Sequence, residues 1–340
     1  MSNTFGNAIK LSVFGQSHAP AVGFTLDGIP AGFAPDFDAL AAFMARRSAK
    51  RDGTTTTRFE DDKVEIVSGL VRGVTCGAPI AGIIYNNDAK SEDYSKNTVF
   101  RPSHADFTAF IKYHGANDNA GGGQFSGRLT APLCASGGIV KQLLSINGIE
   151  ISAKIKSLHG VENPDAETAK QLILDAKNAG DSIGGVIACT VTGVPAGIGE
   201  PMFDGLENKL AQAVFAIPGV RGIEFGLGFK AAEMTGSEHN DAFIFRDNKI
   251  VTETNNHGGI LGGISSGMPI TFNVAIKPTP SIAKAQKTVD ISERKPVTIT
   301  VRGRHDPCIV PRALPCVEAC AALAIFDSLK EDGFVWNLTR

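Results

Sequence analysis

The sequence predicts an α+β protein built from antiparallel sheets, and three observations predict it. Short segments alternate apolar and polar residues with the period of a half-buried strand, and longer ones repeat apolar residues with the period of a helix. The two kinds do not alternate regularly along the chain, as a doubly wound parallel sheet would require. Finally, the chain contains two similar stretches in the same order, so one arrangement of strand, turn, helix and hairpin is expected twice.

Taken in order, strands are expected at 9–14 (Ile9 to Phe14) and 63–71 (Lys63 to Val71), where alternation is clean. Phe243–Phe245 and Ile250–Thr252 read as a hairpin around Asp247-Asn248, followed by strands at 269–276 and 296–302. Helical periodicity runs through 36–50, 129–144, 165–179, 204–215 and 311–330. Most of these helices open on an aspartate or proline suited to a helix start.

Composition bounds what such a fold does. The 340 residues are 43% hydrophobic and 20% charged with a net charge of −2, and the mean hydropathy is +0.02. These values exclude a disordered chain, a coiled coil and a fibre. Balanced charge excludes a global basic field for nucleic acid or anionic lipid, so a cationic site must be local. Gln16-Ser17-His18 interrupts the early apolar stretch, and no long apolar run escapes Gly or Pro breaks. No export signal or membrane span is therefore expected, and the cytoplasm is the expected location. In that setting the six cysteines read as buried reduced thiols, with Cys316 and Cys320 on one helix face. One value is out of line, the 38 glycines, about 11% where about 7% is usual.

Much of that surplus lies in the repeat. Residues 15–32 match 180–197 without a gap, seven of eighteen positions being identical, among them Gly15, Ser17, Gly28, Pro30 and Gly32. Further on, Gly69, Gly73, Gly77, Pro79 and Ile80 stand opposite Gly259, Gly263, Gly267, Pro269 and Ile270. Two halves, roughly 1–160 and 161–340, are expected to share one body; chance identity among Gly/Pro-rich turns is the bland alternative. Position 18 is His in the first copy and Ile183 in the second. The fold tolerates an apolar residue there, so His18 is better explained by chemistry.

Three of the seven histidines stand in compact polar motifs: His18 in Gly15-Gln-Ser17-His18, His104 in Arg101-Pro-Ser-His104-Ala-Asp106, and His305 in Gly303-Arg304-His305-Asp306-Pro-Cys308. Imidazole suits proton transfer near neutral pH. A structural hydrogen bond is the alternative for each. Arginines flank the same motifs: Arg46, Arg47, Arg101, Arg128, Arg304 and Arg312. Guanidinium groups converging on a cleft point to a small ligand with several negative charges. Arg46-Arg47 could equally serve the last turn of a helix. Gly121-Gly122-Gly123 precedes the helix near Arg128 and could offer backbone N–H groups to an anion or cofactor. His104-x-Asp106 and His305-Asp306 leave a metal reading open, Ser17 a hydrolase, and the arginines a non-catalytic anion sensor.

These motifs together resemble the chorismate synthase family. The resemblance rests on Gly-x-Ser17-His18, Arg101-Pro-x-His104-Ala-Asp106, Gly180-Asp-Ser-x-Gly184, Gly193-Val-Pro-Ala-Gly-x-Gly-Glu-Pro201, Gly258-Gly-Ile-x-Gly-Gly-Ile-Ser265, Lys277-Pro278 with Ser281-Ile282, and Gly303-Arg-His-Asp-Pro-Cys308 with Arg312-Ala-x-Pro315. It implies a β-α-β sandwich of antiparallel sheets around central helices, a homotetramer, and a lyase. That lyase turns 5-enolpyruvylshikimate 3-phosphate into chorismate and phosphate by a trans-1,4 elimination that needs reduced FMN. NADPH would reduce the flavin on this chain, or a separate reductase would supply it. By the family pattern His18 protonates the departing phosphate, His104 supports the reduced flavin, and Asp306 assists proton removal. Ser17, Arg46, Arg47, Arg101, Arg128 and Arg312 would bind substrate. Gln124, Phe125, Ser126, Asn256, His257, Gly262, Lys277, Pro278, Thr279, Pro280, Ser281 and Arg304 would bind flavin. The chain departs from the pattern at Gln16, Ala19, Ser103, Gln124-Phe125 and Gly53, the last two costing a cation each. Lys50, Arg51 or Arg58 would replace one.

Overall fold

A computed structural model describes residues 3–49, 52–56, 61–87, 98–301 and 305–339. The first half begins with β1 (Thr4–Phe5), β2 (Lys10–Gly15) and β3 (Ala21–Asp27). After helix α1 (Phe37–Ala45) come β4 (Glu65–Ser68), the small hairpin β5 (Leu70–Val71) and β6 (Val74–Thr75), and β7 (Ile80–Tyr85). The strand expected over 63–71 is thus split, because Gly69 at φ +92° turns the chain. The five longer-range partners form an antiparallel sheet in the order β1-β2-β3-β7-β4. Leu11 pairs with Leu26 and Leu26 with Ile80, a buried cross-strand row on the inner face.

Helices α2 (Asp106–Lys112) and α3 (Thr130–Ile146) lead to the second half. It holds β8 (Glu150–Leu158), β9 (Val161–Glu162), helix α4 (Ala166–Asn178), β10 (Gly185–Thr192), helix α5 (Leu206–Phe215) and β11 (Val220–Phe225). A short α6 (Gly236–His239) precedes the hairpin β12 (Phe243–Arg246) and β13 (Lys249–Thr252), whose turn residues Asp247 and Asn248 have φ of +50° and +59°. That is the turn read from the sequence. Then come β14 (Ile260–Leu261), β15 (Ile264–Ser265), β16 (Ile270–Ile276), a hairpin of β17 (Gln286–Asp290) with β18 (Lys295–Ile299), and α7 (Val310–Glu331). The second antiparallel sheet runs β11-β16-β10-β8-β9.

The sheets enclose two helices. α3 packs on the first sheet, α7 on the second, and the two pack on each other. Their crossing is close because Gly137 has no side chain: a Cβ there would stand 2.5 Å from that of Ala319. Gly127–Ile146 has the length and hydropathy of a membrane span, yet 72% of that window is buried inside the protein, so it serves as a core helix. α1 lies on α3 and α5 on α7. Asp36 and Asp165 cap α1 and α4, accepting from Ala39 N at 2.9 Å and Thr168 N at 2.8 Å. α1 stops at Ala45, earlier than its periodicity suggested, and α5 starts at Leu206, after a 3-10 turn at Met202–Asp204. Five cysteines are buried as expected, but Cys76 is exposed, since its short hairpin lies outside both sheets.

Candidate active site

Ser17 and His18 sit in the turn between β2 and β3. Ser17 is fully buried, and its N–H donates to the Gly123 carbonyl at 3.1 Å, which draws the glycine loop over this turn. Gly121 has φ +58°, and a Cβ on it would stand 2.2 Å from Cε1 of His18 and 2.7 Å from Oγ of Ser17. Glycine is needed there for approach to the imidazole as well as for its backbone angle.

Three of the expected arginines converge beside the turn. Arg47 follows α1, Arg128 lies in the 3-10 turn Gly127–Leu129, and Arg312 in the first turn of α7. Asp62, which no motif marked, joins two of them: its carboxylate pairs with Arg47 at 3.0 Å and with Arg128. Burial alone would push the Asp62 carboxyl up, but the two guanidinium charges outweigh it and hold the group below the usual carboxylate range. Arg312 donates to the Arg47 carbonyl at 2.8 Å and to Oδ2 of Asp306 at 2.6 Å, while Oδ1 of Asp306 accepts from Thr56 N at 2.8 Å. The Nε–H of Arg47 is buried with no hydrogen-bond partner among the described residues. A cationic donor left this way is costly unless an anion completes it.

A second group lies around His104. Its Nδ1 is 3.0 Å from the Pro102 carbonyl and its Nε2 2.7 Å from the Ser281 hydroxyl. A carbonyl only accepts, so Nδ1 carries the proton, and in the neutral ring Nε2 accepts from Ser281. Burial first, then the Arg101 charge, holds the His104 pKa below its ordinary value. Arg101 is forked onto Asp106 at 2.8 Å through both Nε and Nη2. Lys277 donates to the Ser103 carbonyl at 2.8 Å. The Thr279 hydroxyl is buried without a partner among the described residues, and the Thr279 carbonyl accepts from Ser182 Oγ at 2.6 Å. Ile183 N donates to Pro307 O at 2.9 Å, so residues 182–183 join this group to the segment before α7 that bears Asp306.

Other expected site residues lie elsewhere. Arg46, half-exposed, is forked onto buried Glu318 at 2.7 and 2.9 Å, where Lys141 and Ala153 N also bind. One residue along the turn after α1 sends its side chain to the opposite side from Arg47. Asn256 and His257 are tied to Asp241 through backbone N–H bonds of 2.9 Å and the His257 ring. They sit beside Thr271, at the start of β16, whereas Lys277 follows its end, roughly 20 Å away at the rise of a strand. Gly262 belongs to the β14–β15 turn in that same distant region. Gln124 donates to the Tyr113 hydroxyl at 3.0 Å and lines a cavity of about 400 Å³ with Asn3, Val13, Leu133 and Gln212. Phe125 tilts against Tyr113, and Ser126 caps the 3-10 turn, accepting from Arg128 N at 3.2 Å. Pro278 and Pro280 flank Thr279; the Pro280 carbonyl accepts from Gln286 at 3.4 Å. Arg304, Lys50, Arg51 and Arg58 lie outside the described residues. Near Gly53, Lys177 of α4 supplies a cation instead, donating to the Gly53 carbonyl at 2.7 Å.

Buried arginines, a histidine under a glycine loop and a second histidine grouped with a buried hydroxyl that has no partner among the described residues, held in an α+β sandwich, define an enzyme for a small polyanion. Comparison with known proteins agrees on which one. The family profile of chorismate synthase matches residues 9–329. Chorismate synthases of Dehalococcoides mccartyi and Pyrococcus abyssi are 43% and 44% identical, covering 98% and 95% of this chain and 98% and 96% of theirs. A chorismate synthase crystal structure superposes with a TM-score of 0.75 at 27% identity, covering 96% of this chain and 93% of that one. The chain belongs to the chorismate synthase family, and with it to the enzymes of the shikimate pathway.

Proposed function

We propose that this chain eliminates phosphate from 5-enolpyruvylshikimate 3-phosphate to give chorismate, at the site formed by His18, the Arg47–Asp62–Arg128 cluster, Arg312 and Asp306. The observation that carries the reading is the buried Nε–H of Arg47, a cationic donor grouped with Arg128 and Arg312 and without an acceptor among the described residues. A substrate with two carboxylates and a phosphate offers such acceptors.

In this reading Arg47 and Arg312 hold anionic groups of the substrate, while Arg128, which also donates to Asn86 and to the Tyr85 carbonyl, holds the wall in place. Ser17 is buried within the turn, and His18 carries the proton that the departing phosphate takes up. Asp306, its carboxylate fixed by Arg312 and Thr56 N, faces the task of proton removal with its oxygens already oriented. Arg46 is assigned to Glu318 and to stability.

The residues around His104 suit reduced FMN. The Thr279 hydroxyl, without a partner among the described residues, and the Lys277 ammonium are donors for a phosphate-bearing polar ring system, while the neutral His104–Ser281 pair presents the Ser281 oxygen as an acceptor. When bound, the reduced flavin supplies the electron density that makes the elimination feasible without net redox change. Within one chain Asn256, His257 and Gly262 stand roughly 20 Å from 277–281 at the rise of a strand; in the homotetramer expected of the family a neighbouring copy would offer a second route for such residues to the flavin. We also read the two halves as copies. Strand order β2-β3-β7-β4 in one sheet repeats as β8-β10-β16-β11 in the other, and matched glycines keep matched angles, Gly28 and Gly193 at φ +93° and +85°, Gly77 and Gly267 both at +83°. A biosynthetic family of this kind supports a cytoplasmic location.

The test is phosphate release from the substrate under anaerobic conditions with and without reduced FMN. Release only with reduced FMN, and a loss of at least ~10²-fold in His18→Ala and His104→Ala, is the expected result. Release that needs a divalent metal and no flavin, or full rate in either variant, would overturn the corresponding assignment.

A further inference from the structure

The turn that carries His18 is bracketed by one side chain that no motif singled out. Asn86 is the residue after β7, and four hydrogen bonds converge on it. Its backbone N–H donates to the Pro20 carbonyl at 3.0 Å. Its Nδ2 donates to the carbonyls of Gln16 at 3.1 Å and Ala19 at 2.6 Å, so both ends of the turn are held by one amide nitrogen. Its Oδ1 accepts from Nε of Arg128 at 2.7 Å. Arg128 in turn pairs with Asp62, and Asp62 with Arg47.

We propose that Asn86 is the positioning residue for His18, setting the spacing between the imidazole and the arginines that hold the anionic substrate; the inference rests on the assignment of His18 as the acid. Asn86 touches neither substrate nor the reacting atoms in this arrangement and acts through the turn. Only a primary amide meets the demand. Two carbonyl acceptors require an N–H₂ group, the guanidinium donor requires an oxygen, and a flipped amide would face each partner with the wrong polarity. Aspartate keeps the oxygen for Arg128 and loses both donors to the turn. Alanine loses all three side-chain bonds. On the other side the turn rests against the Gly121–Gly123 loop, so releasing the Asn86 side frees it to move away from that support. A displacement on the order of 1 Å at a reacting group costs on the order of 10²-fold in rate.

The experiment is a double-mutant cycle on phosphate release with reduced FMN: wild type, Asn86→Asp, His18→Ala and the double variant, with thermal unfolding measured for each. Expected is a fall in kcat of roughly 10- to 100-fold for Asn86→Asp with KM within about 3-fold, and no further fall when Asn86→Asp is added to His18→Ala. Unchanged kcat in Asn86→Asp, or the same fold-loss in both backgrounds, overturns the inference, because a merely structural residue lowers both backgrounds alike. If Asn86→Asp does not fold, Asn86→Ala is read in the same cycle by the same criterion. His18→Ala at full rate would remove the acid assignment itself, and the inference with it; a damaged His18→Ala with an uncoupled Asn86 would remove the inference alone.

Discussion

Gly121→Ala tests whether the glycine loop is built around the imidazole. A Cβ on Gly121 would lie 2.2 Å from Cε1 and 2.4 Å from Nδ1 of His18, against an ordinary contact of about 3.5 Å, so the ring must retreat by about 1.3 Å. The backbone at φ +58° adds strain of about 1–2 kcal/mol for a residue with a side chain. Gly122→Ala is the matched control. Its φ is +86°, but the nearest atom to its Cβ would be Ser126 Cβ at 3.8 Å, so it carries comparable strain without touching the histidine. Gly122→Ala should lose about 1–2 kcal/mol in urea unfolding and Gly121→Ala at least as much. Only Gly121→Ala should lose kcat for phosphate release, on the order of 10²-fold, with Gly122→Ala within about 3-fold of wild type. Equal rates in the two alanine variants would refute the reasoning, since strain would then explain everything and the position of the ring nothing.

Arg46→Ala should lower stability by about 1 kcal/mol, because its forked bond to Glu318 is half-exposed, and leave KM unchanged. Arg47→Ala should raise KM by at least ~10-fold; steady-state kinetics on both variants reverses the assignment if Arg46 is the one that matters. His104 provides a pH test. Its pKa is depressed in the folded state, so on acidification the unfolded chain binds a proton first, and stability is lost as pH falls through about 6.5. Urea midpoints between about pH 7.5 and about pH 5 should fall less steeply in His104→Gln, and an identical slope would count against the depressed value. Iodoacetamide on the native protein should alkylate Cys76 alone, the other five thiols reacting only after unfolding; native labelling of Cys134 or Cys316, buried with their sulfurs 3.5 Å apart, would contradict the packing of α3 on α7.

What the sequence made legible, and what it left hidden, follows from the range of the interactions concerned. Periodicity reports a face, so α3, α4, α7 and the β12–β13 hairpin lie within a few residues of where pattern placed them. The helix over 36–50 was read too long because its last residues are held by tertiary ion pairs: Arg46 turns to Glu318 and Arg47 to Asp62. Site residues marked by a motif and a turn, His18, His104 and Asp306, lie in the clusters described above. Those whose role depends on a partner far along the chain were invisible. Asp62 is 66 residues from Arg128, and Asn86 is 67 from Ala19. A single chain carries no sign that such residues meet. Counting arginines also overstated the free positive charge, since Arg46, Arg47, Arg101, Arg128 and Arg312 each already face a carboxylate, Arg47 and Arg128 sharing one.

The contrast between His18 and Ile183 takes on a structural meaning. If the halves are copies, the turn after β2 and the turn before β10 began alike, and the two have parted in what they hold. The first carries an imidazole against the glycine loop. The second buries Ile183 and uses Ser182 Oγ and Ile183 N to bind the Thr279 and Pro307 carbonyls. It thereby fastens the Lys277–Ser281 segment to the segment bearing Asp306. Ile183 is buried in its own turn, and in the proposed reaction an apolar residue at 18 would remove the acid. In the proposed reaction one turn does the chemistry, while its counterpart ties together the two segments that bear the other site residues.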